Sequence, residues 1–546
     1  MKTRWFSLAA LCTAAALASC TKTGGVAGVG GRVNSWTQPH VLTFADAGDV
    51  NTLNPHLGQF ADVGYLSSMT MAWLVKWDEH NRPYPELATQ VPDQQNGGVS
   101  KDGLTITYHI RKGVRWSDGA PFNADDVVFS TKVVLNPANN EIGRLGWDQI
   151  TKIDEPDKYT VIYHMRKPYS PFVETFFSTA GANPCILPKH LLANYPNINH
   201  IPYNSLPVGI GPFKYLRWDR SQDVVLVANP LYWRGMPKLQ KIVYKIIPDR
   251  NTTLSQLQAH EVDMWPTVPG AYYSRVQAVP GVTTIRQPGY FFSHLDFNVQ
   301  RPAVSDPIVR AALRLAIDRQ TIRDKIGRGV GILSEVTTPP TAPYAVTSIP
   351  RVPFDIARAN ALLDKDGWTR GPNGIRQKNG VKLSLEFATS SGTPDADESI
   401  ELTRSTWKQI GVDIAVHHYP PNLMFAPTQD GGIVYSNKWD VITFQWSNEA
   451  IGDYSPIYSC KSFPPNGQNN IRWCNPTAQA AIDGLFGHFQ QSQRNADVLV
   501  LEQQLVKDVP TIVTTIREDI FAYNRDLKNF HPNAITPFDN MMDVDI

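Results

Sequence analysis

The sequence predicts an α/β protein built on mixed sheets, and three observations carry that prediction. Helical segments stop at a glycine and feed directly into strand-like segments, the alternation that layers helices on a sheet. At 546 residues the chain has room for three or four domains of roughly 150 residues each, and so for a large core. Charged residues make up 18% and aromatic residues 10%, which is lean in charge against the roughly 25% of an ordinary soluble domain and rich in material to bury.

The elements follow in chain order. Lys2 and Arg4 precede an apolar stretch, 5–18, that is too short to span a bilayer comfortably. It ends in Leu17-Ala18-Ser19-Cys20, which resembles a bacterial lipobox, so 1–19 reads as a lipoprotein signal peptide and Cys20 as the lipidated first mature residue. Residues 20–35 carry Gly24, Gly25, Gly28, Gly30 and Gly31 and read as a flexible tether reaching on the order of 20 Å. Strands are expected at 41–44, 104–110, 160–165, 224–227 and 242–247, where β-branched and aromatic residues concentrate. Asp306-Pro307 opens a helix with an acidic cap and proline at its first position, burying Val309, Ala312, Leu313, Ala316 and Ile317. Asp355 opens a second, with Ile356, Ala359, Leu362 and Leu363 on one face and Gly367 closing it. A third presents Ile400, Thr403, Trp407 and Ile410 and stops at Gly411, feeding a strand at 412–416. Further strands are expected at 383–388 and 441–446.

The balance of 51 Lys+Arg against 50 Asp+Glu argues against a nucleic-acid binder, which needs a basic patch. Mean hydropathy of -0.27, with no long apolar run after the leader, argues against a polytopic membrane protein. Cysteine use agrees with export. Cys460 and Cys474 bracket a Pro/Gly/Asn-rich loop, which a disulfide in an oxidising compartment would close, while Cys185 in an apolar context reads as a buried thiol.

One family resemblance covers nearly the whole mature chain. The stretch 103–127, with Arg111-Lys112-Gly113-Val114-Arg115-Trp116-Ser117-Asp118-Gly119 followed by Phe122-Asn123-Ala124-Asp125-Asp126, resembles the signature of the family 5 extracellular solute-binding proteins. Further similarities follow in the family's order: 51–56, Gly209-Ile210-Gly211-Pro212-Phe213, 229–233, Phe297-Asn298, 309–313 with Ile317-Asp318-Arg319, 359–363 with Gly367-Trp368, Gly411-Val412-Asp413, and 469–475. The family comprises receptors of peptide, nickel and related ABC importers. The resemblance implies a type II periplasmic-binding-protein-like fold of three domains in two lobes, with a hinge and a ligand cleft between them. Lobe I is expected from 36–74, 207–288 and 517–546, with a family-specific domain, 75–206, inserted in it. Lobe II is expected over 289–516, with crossings near 288 and 516. The signature itself reads as scaffold. Gly113, Asp118 and Gly119 reverse the chain, Trp116 and Phe122 pack across the turn, and Asn123 with Asp126 caps the helix that follows.

In peptide-binding members the resemblance places the ligand at the strand here numbered 441–446 and the loop after it, where a Trp followed three residues later by Asp receives the peptide ammonium. Here Trp446 is followed by Glu449, with Asp453 beyond, and either acid can take that role. An extended ligand is expected to pair with backbone at Gln445 to Asn448 and near Asn51 to Asn54, with Tyr290, Phe291 and Phe292 near the cleft. The partners implied are a peptide or other small solute, ABC permease subunits and a lipid anchor at the outer face of the membrane. The protein is expected to be monomeric and to need no cofactor and no metal. A nickel chelate, oligosaccharide or opine remains an alternative solute.

Enzyme motifs are incomplete. His260-Glu261 lacks the second histidine of a zincin, since Met264 stands there. Ser405-Thr406-Trp407-Lys408 fits S-x-x-K without the accompanying motifs, and His417 and His418, neighbours in a strand, point to opposite faces. An extracellular hydrolase is the alternative of another class, and a lipoprotein for signalling or chaperoning a third.

Overall fold

The computed structural model describes residues 34–58, 61–141, 144, 146–179, 184–448 and 452–546. The leader, Cys20, most of the tether and Glu449 lie outside the described residues. A ten-stranded mixed sheet organises the molecule. Its strands, labelled in chain order, are β1 (Val41–Asp46), β2 (Phe213–Asp219), β3 (Asp223–Ala228), β4 (Lys241–Ile246), β5 (Met264–Trp265), β6 (Val282–Phe297), β7 (Ser384–Ser390), β8 (Asp413–Tyr419), β9 (Val441–Ser447) and β10 (Thr511–Asn524). Their order across the sheet is β8-β7-β9-β6-β10-β5-β1-β4-β3-β2. Every strand expected from the sequence within this sheet is present, with ends shifted by at most a few residues.

The two long strands in the middle, β6 and β10, were not legible as strands. Each reads as interrupted, by Pro288-Gly289 in β6 and by Arg517-Glu518-Asp519 in β10. They run antiparallel along most of their length, and the register breaks between Pro288↔Glu518 and Phe292↔Ile516. Three residues of β6, Gly289, Tyr290 and Phe291, thus face a single unpaired position of β10, a bulge in the middle of the sheet. Gly289 is needed there by space: a Cβ would stand 2.7 Å from Asp519 Oδ2. One end of the pair continues into β5 through Met264↔Tyr523 and the other into β9 through Phe297↔Val441.

Separate cores lie on either side of the bulge. Leu42, Phe44, Phe213, Leu226, Ile242 and Phe538 belong to one, and Phe297, Leu313, Phe387, Trp407 and Val441 to the other. The second is roofed by helices α3 (Pro307–Leu315), α4 (Ile356–Lys365) and α5 (Pro394–Gln409), numbered after α1 (Ala61–Thr70) and α2 (Ala124–Leu135). Asp306 and Asp355 cap α3 and α4 by accepting from Ile308 N at 2.9 Å and Arg358 N at 2.8 Å. Gly367 and Gly411 follow α4 and α5 with φ near +85° and +80°, the left-handed turn that stops each helix. Two further helices, α6 (Pro476–Gly487) and α7 (Gln491–Asp508), pack on this half.

A third core, from Met71 to Ile210, surrounds a small antiparallel sheet of Thr105–His109, Ile150–Asp157 and Thr160–Met165. The signature stretch lies here and is scaffold. Asn123 and Asp126 form a reciprocal capping box on α2, and Trp116 meets Phe122 edge-on at 6.3 Å. Cys460 and Cys474 form a disulfide with Cα atoms 4.8 Å apart, and Cys185 is a buried free thiol. No described helix is long and apolar enough to cross a membrane.

Candidate ligand-binding site

The bulge brings three of the expected residues together. Phe291 pairs with Ser447 across β6 and β9, and Tyr290 accepts from Asn448 N at 2.8 Å through its carbonyl. Tyr290 is buried, its hydroxyl has no hydrogen-bond partner among the described residues, and burial pushes that hydroxyl's pKa up. Asn448 turns inward. Its amide donates to the Thr337 carbonyl at 2.6 Å, while its own Oδ1 is buried without a partner among the described residues. Gln445 is exposed and donates to Ser293 Oγ at 3.0 Å. Trp446 is half-buried, edge-on to Phe444 at 5.0 Å and parallel to the His294 ring at 6.4 Å.

The backbone of β9 has an open side. On one edge it is fully paired with β6, but on the other β7 reaches only Val441 and Ile442. From Thr443 to Ser447 the described residues provide no strand partner on that edge, leaving main-chain groups that an extended molecule can pair with. The segment 51–54 offers less. Leu53 N already donates to the Asn204 carbonyl at 2.9 Å and Asn54 N to Thr52 Oγ1 at 3.1 Å, because this stretch is buried against the turn at Pro202–Asn204.

Acids gather on the other side of β6, at β10 and β1. Arg517 of β10 lies over the Phe291 ring at 4.4 Å and binds Asp519 Oδ1 at 2.6 Å. Asp46, at the end of β1, accepts from Thr267 Oγ1 and from Ala47 N at 2.7 Å, and burial, assisted by Asp62, pushes its carboxyl up to about 6. Asp62 accepts from Tyr244 OH at 2.8 Å and is likewise raised by burial. Tyr65 stands within electrostatic reach of Asp46, Asp62, Asp519 and Arg517, so these groups share one neighbourhood. Buried carboxylates crowded this way favour a cation beside them.

Asp453 precedes Tyr454, which shares a core with Tyr290 and Trp446. Its Oδ1 accepts from Ser455 N at 2.9 Å, burial raises its pKa, and Arg494 opposes that rise. Arg494 is itself buried, donates to Ser170 Oγ at 2.5 Å, and lies within electrostatic reach of Glu174. Asp453 is thus within electrostatic reach of Arg494, but burial outweighs that influence and its carboxyl stays raised. Sequence reasoning missed Glu174 and Arg494, which sit in no motif and whose meeting joins positions over 300 residues apart. It also missed Glu502, whose Oε1 accepts from Thr337 N at 3.0 Å and Thr337 Oγ1 at 2.6 Å, and which burial raises to about 7. Through Thr337 this acid braces Asn448 and the end of β9.

The profile of the bacterial extracellular solute-binding proteins, family 5 (middle region), matches residues 82–468. The chain belongs to that family. Among curated relatives, the oligopeptide-binding protein AppA of Bacillus subtilis is 25% identical over 465 residues, covering 82% of this chain and 80% of the relative. The nickel-binding periplasmic protein of Escherichia coli is 26% identical over 411 residues, covering 73% and 76%. Among solved structures, the ABC transporter substrate-binding protein CtaP of Listeria monocytogenes superposes with a TM-score of 0.79 at 21% identity, covering 92% of this chain and 98% of that one. As a family 5 solute-binding protein the chain is a receptor of ABC importers, not an enzyme, and its fold is the two-lobed, hinged α/β architecture with the cleft between lobes. The bulge of β6 and β10 is where that architecture passes from one half of the sheet to the other.

Proposed function

We propose that this receptor captures peptides carrying a free amino terminus, closes over them and delivers them to a membrane permease. The open edge of β9 at Thr443 to Ser447 carries this reading, because backbone pairing along it supplies affinity independent of side chains. Glu449, directly after that edge in sequence, is the proposed ammonium partner. Asp453 is the alternative partner, with Arg494 within electrostatic reach of it. The name of the oligopeptide-binding relative agrees with this solute class. The lobes are assigned as 36–74, 207–288 and 517–546 with the inserted domain 75–206, against 289–516, and closure turns on the bulge at Gly289 to Phe291. Cys20 is proposed to anchor the mature, monomeric protein at the outer face of the membrane through lipid, on the strength of the Leu17-Ala18-Ser19-Cys20 sequence.

Calorimetry with a free-amino peptide and its N-acetylated form tests the central interaction. Acetylation is expected to weaken binding at least as much as Glu449→Gln does, and equal affinities for the two forms would remove the ammonium from the mechanism. Fractionation of cells expressing Cys20→Ser tests the anchor, with release from the membrane expected.

A further inference from the structure

A chamber of about 590 Å³ lies beside the site, between the inserted domain and the second half of the molecule. Trp77, Phe172 and Val173 form one wall and Ala342, Tyr344 and Phe489 the other. Both sides are tied together around it. Asn81 Nδ2 donates to the Thr341 carbonyl at 3.2 Å, and Ser170 Oγ to the Leu485 carbonyl at 2.6 Å. The chamber is therefore complete only when the two bodies are in contact.

Its polar lining is already engaged. Trp77 Nε1 donates to Ser178 Oγ at 2.8 Å, Arg494 Nη1 to Ser170 Oγ at 2.5 Å, and Gln491 Nε2 to Asn495 Oδ1 at 2.7 Å, while Arg82 is paired with Asp78 at 2.8 Å. A guest thus gains little by hydrogen bonding there and much by burying apolar surface. The volume falls in the range of sites for whole small molecules, roughly 300–1,000 Å³, with charged residues such as Arg82 and Asp93 also on the lining. The chamber also backs onto the candidate site. Tyr344 meets Tyr454 edge-on at 6.3 Å and crowds Gly452, and Arg494 in the wall faces Asp453.

The geometry points to this chamber as a second binding compartment that takes an apolar, ring-bearing portion of the solute when the lobes are together. This rests on the solute-receptor reading above and narrows the solute class: a small hydrophilic dipeptide or a bare metal chelate leaves the compartment empty, whereas a solute with aromatic bulk fills it.

The probe is 5-fluoroindole, followed by ¹⁹F NMR with methyl-labelled full-length mature protein. Saturable binding is expected, with nuclear Overhauser contacts from the bound ring to the methyls of Val173 and Ala342. Ala342→Trp fills the chamber and should weaken binding by about tenfold or more. Val173→Trp, at a partly exposed position that tolerates bulk better, should do the same with cooperative unfolding retained. Absence of binding, contacts to other methyls, or undiminished affinity in a folded variant overturns the proposal. The peptide reading fails separately: if fluoroindole binds as expected while no free-amino peptide binds, the compartment stands and the ammonium mechanism falls.

Discussion

Glu449 and Asp453 compete for one role, and substitution separates them. If Glu449 holds a buried ammonium, Glu449→Gln keeps the size and removes the compensating charge, a loss that typically costs about 3–5 kcal/mol, or about two to three and a half decades in affinity. Asp453→Asn should cost much less, because Arg494 shares that neighbourhood; calorimetry with a single peptide ranks the two. A different residue sets a pH limit on the folded state. His56 is fully buried, with Nδ1 2.5 Å from Glu141 and Nε2 2.8 Å from the Cys185 carbonyl, two acceptors that favour the protonated ring. Burial by itself would lower its pKa, but the Glu141 carboxylate and the two hydrogen bonds outweigh it and hold the pKa well above the ordinary 6.5. A histidine raised in the folded state contributes stability that is complete below about 6.5 and is lost as pH climbs towards the folded value. The urea midpoint should therefore fall as pH rises from 6.5, and His56→Gln, which cannot titrate, should flatten that slope. A slope unchanged in the variant would assign the pH dependence elsewhere.

At the scale of elements, scaffold and site should respond differently. The capping box on α2 is remote from the β9 edge, so Asn123→Ala should cost about 1 kcal/mol of stability, visible as a lower Tm, with peptide affinity per folded molecule unchanged. Asp118, which accepts from Ala120 N at 3.0 Å and pairs with His190 at 2.8 Å, belongs to the same class. Reduction of Cys460–Cys474, which closes a loop with a sequence separation of 14, should likewise lower Tm, by about 3 kcal/mol of stability in the chain-entropy picture. These elements were legible because each carries a local signal: an acidic cap, a terminating glycine, a period of two. Helices α3 and α4 begin at Asp306 and Asp355, and α4 and α5 stop before Gly367 and Gly411, as the sequence implies, whereas α3 ends at Leu315, short of the expected Ala316 and Ile317. Strands β6 and β10 were not legible because Pro288-Gly289 and Arg517-Glu518-Asp519 break the local pattern, and only pairing with each other makes them strands. The apolar chamber was hidden for the same reason, since its walls come from segments far apart in sequence.

For the whole molecule, β6 and β10 carry the sheet from one half to the other, and the interruptions that obscured them are what the crossing uses. Gly289 allows Asp519 to approach, and the bulge sets Tyr290 against Asn448. Under the proposed lobe assignment, closure would order both the β9 edge and the chamber wall around Tyr344 together. The account's central claim is that the molecule held between these bodies is a peptide with a free amino terminus. Unfolding the natively purified protein and sequencing the released solute by tandem mass spectrometry tests it most directly. The account predicts peptides with unblocked amino termini, enriched in aromatic side chains. A released solute that is uniformly non-peptidic, such as a metal chelate or a sugar, would contradict it.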